Sequence, residues 1–213
     1  MGLLLSRFVE IEISNKTLNI ILKNPRTYFN CGRCSKPPQA ELSPGLSDTS
    51  HFSGSFPLWG VAGILVYEAE SFTLAIHFSN PIDYNKFSME LGLELSPGKA
   101  HLGNLKTTYR RMAEGTYSNS CQDIKFTRVT VGKSHGTAQL SHGPIKVMAT
   151  MSNDRSCTIK VVLEEQRELE DEAEGEKPWD VKGDRSRGSE KETEPRETLQ
   201  DVLQNLKDSP GSE

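Results

Sequence analysis

The chain has no long hydrophobic run. Its 213 residues are 35% apolar, and no stretch approaches the roughly 18–20 consecutive apolar residues that cross a bilayer as a helix. The opening MGLLLSRFVEIEIS lacks the apolar length and small-residue cleavage site of a secretory leader. The expected location is cytoplasmic, with any membrane contact peripheral. The sequon at Asn15 then carries no sugar. Cysteine is scarce: Cys31, Cys34, Cys121 and Cys157. One Cys31-Gly32-Arg33-Cys34 motif, with no second pair at finger spacing, does not make a zinc site. Pro37-Pro38 forbids the helix that a redox CxxC needs behind it. The thiols are expected to be reduced. Catalytic signatures are missing too. There is no nucleophile elbow, no phosphate-binding P-loop and no H-E-x-x-H pair, and the five histidines are scattered. No enzyme, cofactor or metal is expected, and the work of the chain should be surface recognition.

Charge is unevenly distributed. Residues 164–213 hold 17 acidic and 8 basic side chains, leaving 12 acidic and 17 basic in 1–163. A basic body favours anionic surfaces. Nothing points to nucleic acid.

The body is dominated by period-two alternation, the signature of half-buried strands. Val9, Ile11 and Ile13 alternate with Glu10 and Glu12. Phe72, Leu74, Ile76 and Phe78 alternate with Thr73, Ala75 and His77, which places His77 on an outward face. Phe87, Met89, Leu91, Leu93 and Leu95 alternate with Ser88, Glu90, Gly92 and Glu94, placing both glutamates on a solvated face. Cys157, Ile159, Val161 and Leu163 close the series. GVAGILVY (60–67) is apolar almost throughout, as a strand covered on both faces would be. Turn signals at 43–45, 96–98, 142–144 and 152–154 punctuate the runs. Together they predict an all-β fold, an antiparallel β-sandwich over 1–163. One short helix flanks it, since Leu102, Leu105, Tyr109 and Met112 recur at helical spacing. Arg110 and Arg111 should then face outward.

Residues 164–213 read as a disordered acidic tail. Within it, 198–208 carries a capping pair and an i, i+3, i+4, i+7 stripe of Leu199, Val202, Leu203 and Leu206. That stripe either docks into a protein partner, frays, or folds back on the body. Met1-Gly2-Leu3-Leu4-Leu5-Ser6 fits an acylation pattern at Gly2, and a single acyl chain anchors only marginally.

Several segments, taken in order, resemble the actinoporin-like family of pore-forming cytolysins. SRFVEIEISN (6–15) is similar to its first strand. Thr27-Tyr28-Phe29 with Gly32 matches a T-Y-F and glycine segment. GVAGILVY followed by TLAIHFSNPIDYN (73–85) resembles its central strand and F-S-x-P-x-D-Y-N motif, and RMAEGTY (111–117) resembles its second helix. The likeness covers about residues 6–163, and the F-S-x-P-x-D-Y-N match is the specific part.

The resemblance implies a sandwich that binds phosphocholine headgroups of sphingomyelin-type lipids, and it also implies an oligomeric, cation-permeable pore. It implies a headgroup site of Ser79, Pro81, Tyr84 and Tyr117, which match the family's residues, with Phe87 standing where the family has a tyrosine, Ala62 where it has a valine and Cys31 where it has a serine. Aromatic faces would hold the ammonium and hydroxyls the phosphate. Arg7, Lys86, Arg110 and Arg111 would supply a basic membrane-facing surface. Ala113 and Ser118 replace two pocket tyrosines of the family, and Lys86 and Glu90 replace exposed tryptophans. With only five residues before Ser6, no counterpart of the inserting helix is expected. The expectation is therefore peripheral headgroup binding. Pore formation, or a protein-interaction module that has lost lipid binding, are the alternatives.

Overall fold

The computed structural model describes residues 6–55, 58–98, 104–117, 123–132 and 135–166. All fall within one unit, Met1–Glu170. Gly2, most of the acidic tail and its 198–208 stripe lie outside the described residues.

Among the described residues are twelve strands and one helix. They are β1 (Phe8–Lys16), β2 (Leu22–Cys31), β3 (Arg33–Lys36), β4 (Glu41–Leu42), β5 (Ser47–Ser53), β6 (Val61–Glu68), β7 (Phe72–Asn80), β8 (Glu90–Pro97), α1 (Leu105–Glu114), β9 (Lys125–Thr130), β10 (His135–His142), β11 (Ile145–Ser152) and β12 (Ser156–Glu165). One sheet runs β10-β11-β12-β1-β5-β3 and the other β4-β2-β6-β7-β8-β9. Val9, Ile11 and Ile13 from the first sheet share one buried core with Leu65, Leu74, Ile76 and Leu93 from the second. This is the expected β-sandwich. Gly45, Gly98 and Gly143 take left-handed backbone at three of the predicted turns, where a β-carbon would be strained.

The sheets are not wholly antiparallel. β1 pairs with β12 in parallel, Val9 opposite Cys157 and Ile13 opposite Val161. Alternation fixes which face a residue takes but not which strand lies beside it, so this pairing is invisible to period two. β12 runs two residues past Leu163. The sequon asparagine is also internal: Asn15 is fully buried, its amide donating to the Ile20 and Leu42 carbonyls.

The second sheet is covered on both faces at its centre. All eight residues of β6 are buried, as its apolar run predicts. On its outer side, Ile64, Val66 and Ala75 pack against Met112 of α1, with Tyr28, Leu105, Tyr109 and Phe126 around them. The helix begins at Leu105, where the Asn104 side chain accepts from the Lys106 amide, a standard N-cap. It stops at Gly115, whose φ of 68° allows a left-handed C-terminal cap. Leu102 lies outside the described residues. Among them, no helix is long and apolar enough to cross a membrane.

Candidate functional site

One cross-strand row organises the site. Register places Cys31 opposite Ala62, Ala62 opposite Ser79, and Ser79 opposite Glu90. Paired residues point to the same face of a sheet, so the four side chains lie next to one another across β2, β6, β7 and β8. They line a cleft of about 520 Å³, which also takes in Asn30, Pro81, Asp83, Ser88 and the rings of Trp59, Phe87 and Tyr109. Its size falls in the usual range of small-ligand sites. Tyr109 comes from α1. Its ring lies 5.4 Å from both Tyr28 and His77, and burial pushes its hydroxyl pKa up to about 12. It therefore stays a neutral phenol. Burial likewise raises the pKa of the Cys31 thiol, so it is a poor nucleophile. Cys31, Cys34 and Cys157 are all unpaired by disulfides.

The rim is apolar and open to solvent. Leu58, Trp59 and Phe87 are 60%, 52% and 65% exposed, and all three line the cleft. Phe87 is not the inward-facing strand residue that its alternation suggests. β8 starts only at Glu90, and Phe87 sits in a turn where its amide donates to the Asp83 carbonyl. Neither Leu58 nor Trp59 is legible as a site residue in the sequence. The signal there is two bulky apolar side chains beside Pro57, in a segment too short for a strand. They supply an exposed apolar surface.

The FSNPIDYN stretch divides between two tasks. Ser79, Pro81 and Asp83 reach the cleft. Asn80 and Tyr84 instead brace the fold. The fully buried Asn80 amide faces the carbonyls of Phe8, Asp154 and Arg155 at 3.1–3.2 Å, tying β7 to the other sheet. The Tyr84 hydroxyl donates to Asn80 Oδ1, and the Arg7 guanidinium lies 4.5 Å above its ring. Arg7 is not the surface cation expected. It is only 6% exposed, and its Nη2 donates to the Ile82 carbonyl. Lys86 and Arg110 are exposed as expected.

A second, buried polar cluster lies beneath α1. Glu94, expected on a solvated face, has no exposure. Arg111, expected to point outward, grips it instead, with Nη2 2.6 Å and Nε 3.2 Å from its two carboxylate oxygens. The Tyr117 hydroxyl donates to the same carboxylate, and its ring packs against Phe126. Burial first, then this bond, raises the pKa of the phenol. Tyr117 is therefore committed to Glu94 and is not among the residues lining the cleft. His77, expected outward, is also fully buried. Burial lowers its pKa to about 4, helped by the Arg128 charge. For Glu94 and His77 the reason is the same: α1 covers the face that alternation alone assigns to water, and Arg111, on α1 itself, turns inward to meet the Glu94 carboxylate.

Neither a family profile nor any curated protein matches the sequence. Among solved structures, the crystal structure of the lipid binding protein Nakanori is similar, with a TM-score of 0.55 and 15% identity. The match covers 74% of this chain and 70% of that one. At that identity the likeness shows a shared fold.

Proposed function

We propose that this chain is a peripheral membrane protein that binds zwitterionic lipid headgroups, the class to which the phosphocholine implied by the actinoporin-like resemblance belongs. The observation that carries this reading is the cleft itself. The row of Cys31, Ala62 and Ser79 forms one side, and Leu58, Trp59 and Phe87 form an exposed apolar rim. Exposed apolar clusters around a polar cleft mark binding surfaces, and tryptophan suits the membrane–water boundary. A neighbour in fold that is a lipid binding protein adds support.

Flotation with zwitterionic vesicles tests it. The native chain should float, and the double substitution Trp59→Ala/Phe87→Ala should abolish flotation without unfolding the chain, since both rings are more than half exposed. Failure of the native chain to float on any zwitterionic vesicle overturns the reading. Tyr117→Ala, outside the cleft lining, should lower stability and leave vesicle dependence unchanged in the folded fraction.

A further inference from the structure

The charged side chains that line the cleft are all acidic. Two carboxylates, Asp83 and Glu90, line it, and among the described residues no lysine or arginine does. Basic side chains nearby have other partners. Arg7 lies over Tyr84, Arg111 is clasped to Glu94, and Lys86 sits 3.9 Å from Asp83 with three quarters of its side chain in solvent. Arg128 donates to the Ala113 carbonyl and makes a long ion pair with Glu90, at 3.9 Å, without itself lining the cleft. A phosphate placed inside would meet two negative groups and no lining cation. The ammonium end of a headgroup must therefore enter, leaving its phosphate at the mouth, where the solvated Lys86 can reach it.

The lining also distinguishes between ammonium types. A trimethylated ammonium has no N–H and depends on aromatic faces. Here the acceptors are as prominent as the rings: the Glu90 carboxylate and the Ser79 and Ser88 hydroxyls. Covering them with methyl groups would leave them desolvated and unpaired. A primary ammonium carries three donors for them. We propose that the cleft selects headgroups bearing a primary ammonium, of the ethanolamine type, over trimethylated ones, with Glu90 as the specificity-determining residue. This rests on the headgroup reading above and alters the ligand that the resemblance implies.

The test titrates the full chain with phosphoethanolamine, phosphocholine and inorganic phosphate, following binding by calorimetry. Phosphoethanolamine should bind about fivefold more tightly than phosphocholine, and inorganic phosphate should not compete. Glu90→Gln should bring the ratio of the two headgroups towards one, and Ser88→Ala should shift it the same way by less. Equal or tighter binding of phosphocholine, a ratio that survives Glu90→Gln, or no binding of phosphoethanolamine overturns the proposal. Vesicles separate the two readings. Flotation on phosphatidylcholine alone as strong as with phosphatidylethanolamine keeps the headgroup reading and overturns this one. Binding of soluble phosphoethanolamine without flotation on either keeps this one and overturns the membrane reading.

Discussion

His77 shows what burial does to a single titratable side chain. Its ring is fully enclosed between the second sheet and Tyr109, and neither nitrogen has a hydrogen-bond partner among the described residues. Its pKa is about 4 in the folded chain against an ordinary 6.5, chiefly from burial and then from Arg128. The unfolded chain therefore takes up a proton between pH 6.5 and 4 while the folded chain does not. Stability should be level above pH 6.5 and fall as pH drops towards 4, by an amount on the order of 3 kcal/mol from this residue. Urea melts of the native chain and His77→Phe at several pH values check this, and the substitution should flatten the profile across that window. Glu94 gives a second prediction. Arg111→Ala strands a buried carboxylate and should cost about 3 kcal/mol of unfolding free energy. Glu94→Leu/Arg111→Met should recover most of it, because a matched apolar pair has no charge to desolvate.

At the scale of elements, close backbone approach is what holds the cleft row in register. A β-carbon on Gly63 would lie 2.4 Å from the Tyr28 carbonyl oxygen, so β2 and β6 could not keep their spacing. Gly63→Ala should lower stability by more than about 2 kcal/mol, read as a drop in melting temperature, and should weaken headgroup binding along with it. Gly32 carries the chain from β2 in one sheet to β3 in the other. Its φ is 101°, and a β-carbon there would lie 2.9 Å from the Ser53 carbonyl oxygen. Asn80 closes the same end from β7, and Asn80→Ala should cost about 2 kcal/mol by leaving buried carbonyls unpaired. Strand faces and the α1 stripe are legible in the sequence, because Val9, Ile11 and Ile13, or Tyr109 and Met112, sort by period alone. The parallel β1–β12 pair is not, nor is the burial of Glu94 and His77. Both depend on which element lies alongside, and a local repeat does not encode that.

Across the whole molecule, the division of labour within FSNPIDYN explains why the site is only half legible in the sequence. Ser79, Pro81, Ala62, Cys31 and Phe87 are candidates from the sequence and do meet at one cleft. Tyr84 and Tyr117 are candidates of the same kind, yet one supports Arg7 and the other Glu94. Aromatic residues carry no sign in the sequence of whether they pack or bind. Trp59 escapes notice for the converse reason, as a loop residue outside any periodic run. The most direct test of the account is to map headgroup binding by NMR chemical-shift perturbation on the full chain. Perturbations centred on Cys31, Ala62, Ser79 and Glu90, with Trp59 and Phe87 at their margin, are the predicted result. Perturbations centred on Arg110, Glu114 and Tyr117, or none in the cleft at saturating headgroup, would contradict it.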